Sequence, residues 1–117
     1  MLFRVDPSSP EPLFAQIGDQ VRAGIVRGEL TPGMRLPSAR DLAASLDINL
    51  HTVLRAYQDL RDEGAIELRR GRGAVVSAHP AQDYRPLHEA IETVVRISRE
   101  LSLSPETTTA LLREALR

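Results

Sequence analysis

A chain of 117 residues with 42% hydrophobic content can fill one compact core and carry an appendage, and the absence of cysteine excludes disulfide staples, thiol catalysis and cysteine-held zinc or iron–sulfur centres. No apolar run approaches the roughly 18 residues of a membrane span, and the opening MLFRVDPSSPEP has no signal-peptide core, so a cytoplasmic protein with no membrane partner is expected. A formal net charge of −1 is low for a nucleic-acid binder, whose phosphate contacts normally draw on an excess of basic side chains, yet the basic residues are all arginine and several are clustered, Arg35 with Arg40 and Arg69 with Arg70 and Arg72.

In chain order, Pro7, Pro10 and Pro12 make the first residues an extended lead-in with room for a short strand over Leu2 to Val5. From Leu13 the apolar residues Phe14, Ile17, Val21, Ile25 and Val26 recur at helical steps, predicting an amphipathic first helix that Gly28 and Pro32-Gly33 stop. Met34-Arg35-Leu36 has the character of a brief strand before Pro37. Ser38 followed by Asp41 is a capping-box-like start for a short second helix with Leu42, Ala43 and Leu46 on one face. Asp47 falls where the chain must turn sharply, a position at which Asp tolerates left-handed geometry. Asn49 is a good N-cap for a third helix, and Gly64 is its stop.

Two short helices joined by a tight turn are what a helix-turn-helix requires. At about 100° per residue, an inward stripe of Val53, Ala56, Tyr57 and Leu60 leaves His51, Thr52, Arg55 and Gln58 on the solvent side. Their chemistry suits base edges: arginine bonds guanine through two donors, glutamine does so with adenine, and the threonine methyl meets thymine. Beyond Gly64, Ile66 to Arg69 alternates apolar and polar, Gly71 and Gly73 mark a tight turn, and Ala74 to Val76 returns, predicting a two-stranded wing whose tip arginines approach a phosphate or a minor groove.

The run Pro12, Gln16-Ile17, Gly28, Pro32-Gly33, Leu36-Pro37-Ser38, Arg40, Leu42-Ala43, Thr52-Val53, Ala56-Tyr57, Leu60, Glu63-Gly64, Gly71 and Gly73 resembles GntR-type transcriptional regulators over roughly residues 10–77, with Leu36 to Leu46 the most specific stretch. The short remainder is most similar to the YtrA branch of that family. The resemblance implies DNA-contacting roles for Ser38 and Arg40, for Asn49, Leu50, His51, Thr52 and Arg55, and for Arg70, Gly71, Arg72 and Gly73. Arg35 joins them as a neighbouring positive charge. It also implies repression more than activation. Three positions depart from the pattern: Asp47 stands where the family usually has glycine, Leu50 where this branch often has proline, and Leu54 where many relatives carry a contacting cation.

After a polar linker at His79-Pro80-Ala81-Gln82-Asp83, two helices are expected. Leu87, Ala90, Ile91, Val94, Val95, Ser98 and Leu101 follow a helical period in the first; Ser104 caps the second, Pro105 opens it, and Leu111, Leu112, Ala115 and Leu116 form its apolar face. Such a pair is too small to make its own core, so Leu87, Ile91, Val94, Val95, Leu101, Leu111, Leu112 and Leu116 are expected to pack against a second copy, with docking on the chain's own winged domain as the alternative. The expected architecture is mostly α with a small β-hairpin wing: a winged helix-turn-helix DNA-binding domain over residues 1–78 and a two-helix dimerisation segment over 79–117.

No phosphate-cradling loop, nucleophile elbow or histidine-linked carboxylate pair is present, so no enzyme is expected. His51, His79 and His88 lack metal-ligand spacing, and neither a metal nor a cofactor is expected. The competing reading is a winged helix that binds protein rather than DNA. Any effector is unknown; too few residues follow position 80 to enclose a small molecule within one subunit, which leaves a site between subunits open.

Overall fold

In the computed structural model, residues 2–78 and 83–117 are described. The first helix, α1 (Leu13–Val26), opens without a side-chain cap on Pro12, whose fixed φ and missing N–H suit a helix entrance. Its inward face buries Ile17 and Val21 completely. The lead-in is extended but is no strand. Instead of a neighbouring strand it has two glutamines of α1 as partners: Arg4 N–H donates to Gln20 Oε1 at 2.9 Å, Asp6 N–H donates to Gln16 Oε1 at 2.8 Å, and Gln16 Nε2 donates to Asp6 O at 2.9 Å. These amides satisfy backbone groups that a ladder would otherwise serve, and Phe3 is drawn into the core beneath them.

The short helix α2 (Ala39–Leu46) is capped by Ser38, whose Oγ accepts the Asp41 N–H at 3.1 Å. Asp47 then adopts φ 54 and ψ 51, the left-handed geometry that makes the sharp turn. Asn49 starts α3 (Leu50–Asp62) by accepting the His51 N–H at 2.8 Å. Because a Cβ is disfavoured at Asp47, Asp47→Gly is expected to stabilise the fold by up to about 1 kcal/mol, the relief of left-handed strain being partly offset by glycine's greater freedom when unfolded. Urea denaturation of the full chain reads the change; a loss of stability would mean that the Asp47 carboxylate contributes more than its backbone costs.

Helix α3 is the hub. Val53, Ala56, Tyr57 and Leu60 are at most 2% exposed, and both α1 and α2 pack against this helix. The Tyr57 hydroxyl donates to Pro37 O at 2.6 Å, tying α3 to the residue before the α2 cap; burial pushes its pKa far above the ordinary phenol value, so it stays a donor at any physiological pH.

Strand β1 (Ile66–Arg69) pairs antiparallel with β2 (Gly73–Val76), Ile66 opposite Val76 and Arg69 opposite Gly73. Gly71 in the connecting turn and Gly73 at the start of β2 take positive φ, which a side chain would resist. The brief strand expected at Met34 to Leu36 reduces to one bridged residue, Arg35 opposite Val75. Val76 N–H still donates to Met34 O at 2.8 Å and Leu36 N–H to Ala74 O at 2.9 Å, and Pro37, lacking an N–H, ends the pairing.

The chain divides into two compact units, one reaching to Asp83 and the other spanning Tyr84–Arg117. Four residues of the expected linker, His79 to Gln82, lie outside the described residues. The second unit holds α4 (Arg85–Glu100) and α5 (Pro105–Ala115). Ser104 Oγ accepts the Thr107 N–H at 3.1 Å at the start of α5, and Thr108 Oγ1 lies 2.9 Å from Ser98 Oγ on α4. Neither helix buries a residue.

Candidate nucleic-acid interface

The low net charge is resolved by which arginines are paired. Arg22 Nε donates to both carboxylate oxygens of Glu63 at 3.0 Å and its terminal nitrogen reaches Asp19 at 3.0 Å, so that Glu63 above all raises the Arg22 pKa. Arg27 pairs with Glu29, Arg61 with Asp62, Arg69 with Glu67 and Arg96 with Glu100. Among the described residues, Arg35, Arg40, Arg55, Arg70 and Arg72 of the helix-turn-helix and wing have no carboxylate partner, and neither do Arg4, Arg99, Arg113 and Arg117 elsewhere in the chain. Arg35 reaches only a carbonyl, Gly71 O at 3.4 Å. The arginines around the start of α2 and at the wing tip are thus left without a carboxylate, whereas Arg61 in the last turn of α3 is paired with Asp62, and the expected cluster at residues 69–72 loses one member, because Arg69 is held by Glu67 at 2.6 Å.

Ser38 and Arg40 are exposed at the start of α2, although Ser38 already spends its hydroxyl oxygen on the cap. Their neighbour Asp41, in the first turn, favours the positive helix end. On α3, Asn49 is occupied as cap while its side chain stays at the surface, His51 and Gln58 are exposed, and Thr52 is half-buried. Leu50, a contact residue by resemblance, is half-buried and packs against the core. The start of α2, the middle of α3 and the wing meet around a shallow hollow of about 360 Å³ lined by Ser38, Leu54, Gln58, Leu68, Arg70 and Gly73 among others. Leu54 thus puts an apolar wall in this hollow, at a position where the family resemblance implies a cation.

Arg55 lies elsewhere. Its guanidinium carbon stands 3.7 Å from the centroid of the Phe14 ring, in the first turn of α1. The periodicity of α1 places Phe14 in the apolar stripe, and nothing in spacing signals that a residue of α3, forty-one positions on, would stack upon it.

In the second unit, Leu87, Ile91, Val95, Leu101, Leu111, Leu112 and Leu116 are exposed, Leu116 to 83%, and Val94 is half-buried. Ile97 and Leu103 are exposed as well, at 42% and 37%, and widen the apolar face beyond the expected set. His88 Nε2 lies 3.0 Å from Glu92 Oε1. Among the described residues no cluster of three or more histidine, aspartate or glutamate side chains is placed to hold a metal ion.

The family model of the bacterial regulatory proteins, gntR family, matches residues 13–76, the whole span from α1 to β2. The chain belongs to the GntR family. Among relatives, it is 41% identical to the HTH-type transcriptional repressor YtrA of Bacillus subtilis over 76 residues, which are 65% of this chain but only 58% of that repressor. Among solved structures, YtrA from Sulfolobus acidocaldarius, a GntR-family transcription factor, superposes with a TM-score of 0.62 at 37% identity, covering 87% of this chain and 99% of the other. The AraR DNA-binding domain in complex with operator ORX1 matches with a TM-score of 0.56 at 25% identity, covering 62% and 90%. This GntR-family chain is accordingly a YtrA-like transcriptional regulator with a winged-helix fold.

Proposed function

We propose that this GntR-family regulator binds an inverted-repeat operator as a homodimer and represses transcription, acting in the cytoplasm without catalytic chemistry. The observation that carries the DNA reading is a group of arginines without carboxylate partners among the described residues, Arg35 and Arg40 around the start of α2 and Arg70 and Arg72 at the wing tip, whereas Arg61 at the far end of α3 and Arg69 at the base of the wing are paired. In this reading the exposed start of α3, with His51 and Thr52, enters the major groove and reads base edges. Ser38 and Arg40 hold a phosphate, and Arg70 to Gly73 follow the backbone into the adjacent minor groove. The operator complex of the AraR DNA-binding domain supports DNA binding by this fold, and the relative's name as a repressor supports the direction of control.

Residues 1–78 serve as the DNA-binding domain and 79–117 as the dimerisation segment. Burying a leucine, isoleucine or valine side chain is worth about 1.5–3 kcal/mol, and α4 with α5 leave Leu87, Ile91, Val95, Leu101, Leu111, Leu112 and Leu116 in water. A second copy supplies a matching apolar face and sets two α3 helices about 34 Å apart, one helical turn of DNA.

Selection of binders from a random duplex pool at near-physiological salt tests the reading. The expected result is an enriched motif of two half-sites related by a dyad at fixed spacing. A single half-site would refute the dimer, and recovery with no motif would favour a winged helix that binds protein.

A further inference from the structure

Resting on the DNA-binding reading, we infer that Arg55 is a phosphate clamp positioned by Phe14, and does not read a base. The guanidinium lies against the Phe14 ring at 3.7 Å from its centroid, a separation at which the positive face is attracted by the aromatic quadrupole. Stacking occupies only the face of the planar cation. All five N–H donors lie in its plane and stay directed outward, and among the described residues no carboxylate takes them. The ring therefore removes rotamers without consuming hydrogen bonds, which is what preorganises a long side chain for an anion.

The same stack fixes where Arg55 can reach. Its partner belongs to α1, outside the two-helix motif of α2 and α3, so the stack draws the guanidinium to a flank of α3, and the flanks of a helix lodged in a major groove face the phosphates of the groove walls. Arg55 lies on the α1 side of α3, and it is not among the residues that line the hollow shared by Ser38, Gln58 and Arg70. The first turn of α1 also carries no acidic residue, so no carboxylate of that turn opposes an approaching phosphate. A guanidinium held to that flank of α3 meets backbone oxygens of the groove wall, leaving base readout to His51, Thr52 and Gln58.

Phosphate and base recognition leave different signatures. Removing a cation that binds phosphate weakens operator and random duplex by the same factor and flattens the salt dependence, whereas removing a side chain that reads a base relaxes preference at one position. Fluorescence anisotropy with the selected duplex and a scrambled one, across a salt series, compares wild type, Arg55→Gln, Phe14→Leu, Phe14→Tyr and the double variant Phe14→Leu with Arg55→Gln. Arg55→Gln is expected to lower both affinities equally and to reduce the slope of log affinity against log salt by about 0.9 for each phosphate it no longer neutralises. Phe14→Leu, which keeps an apolar side chain in the packing, should weaken binding by about two- to fivefold. Phe14→Tyr should bind as wild type, and Phe14→Leu should cost nothing further once Arg55 is gone.

Three outcomes would overturn the assignment. A changed base preference with an unchanged slope would make Arg55 a reader. Equal cost of Phe14→Leu with and without Arg55 would reduce Phe14 to packing, as would matching losses in thermal stability. Absence of salt-dependent binding by the wild-type chain to either duplex would instead refute the DNA reading on which the clamp rests.

Discussion

Replacing Arg40, Arg70 and Arg72 together by glutamine is expected to weaken binding to the selected duplex at least about 100-fold near physiological salt, because each charged hydrogen bond to phosphate contributes roughly 1.5–3 kcal/mol and glutamine keeps only a neutral one. All three side chains are exposed and carry no ion pair among the described residues, so the thermal transition should stay within the small range typical of surface changes. The comparison that gives the result its meaning is a variant in which Arg27 and Arg61 become glutamine. Those arginines are exposed too, but Glu29 and Asp62 hold them at 2.8 and 3.2 Å, and their loss should change affinity by less than about twofold, as befits paired surface charges. Equal effects from the two variants would mean that overall positive charge, and not the unpaired set, governs binding. The measurement is a titration of labelled duplex with each protein at one salt concentration.

The second large effect concerns stability. Leu60→Ala is expected to destabilise the winged unit by about 3 kcal/mol, since Leu60 is fully buried and a truncated leucine forfeits both its transfer energy and the packing around the cavity. Leu60 belongs to the helix on which α1 and α2 pack and which leads into β1, so the cavity opens where several elements meet and collapse is difficult. In a small domain with about 5–10 kcal/mol in total, that is a large fraction, equivalent to a fall in midpoint of roughly 15 °C. DNA affinity should be recovered on cooling, because the DNA-facing residues are untouched. A shift below about 1 kcal/mol would show that the surrounding side chains close the gap.

The elements were legible because several independent rules agreed on each. Helix α3 had an N-cap at Asn49, a stripe at Val53, Ala56, Tyr57 and Leu60, and a stop at Gly64, and its observed bounds follow them. The cap at Ser38 and the left-handed Asp47 were readable from side-chain chemistry alone. What escaped was tertiary. The lead-in over Leu2 to Val5 looked like a strand because extended backbone has the same local signature whether its partner is a strand or, as here, the amides of Gln16 and Gln20. Met34 to Leu36 shrank to one bridge because Pro37 removed the next donor.

For the candidate interface, the arginine positions were plain, but their partners were not. Sequence separation hides that Glu63 belongs to Arg22 or that Phe14 meets Arg55, and adjacency misleads at Arg69, whose clustered charge is spent on Glu67. Leu50 shows the converse: position in a motif suggests contact, and its half-buried apolar side chain also packs against the core. Periodicity named most of the apolar face on α4 and α5 but left out Ile97 of α4 and Leu103, which lies in the connection between the helices where no helical period applies; both are exposed as well.

The most direct test of the unpaired-arginine account is the salt dependence of wild-type affinity for the selected duplex. Each neutralised phosphate contributes about −0.9 to the slope of log affinity against log salt. Two protomers that each present Arg35, Arg40, Arg55, Arg70 and Arg72 should give a slope between about −4 and −9, with several phosphates engaged by each protomer. A slope shallower than about −1 would contradict the account, because it would leave those arginines without phosphate to meet.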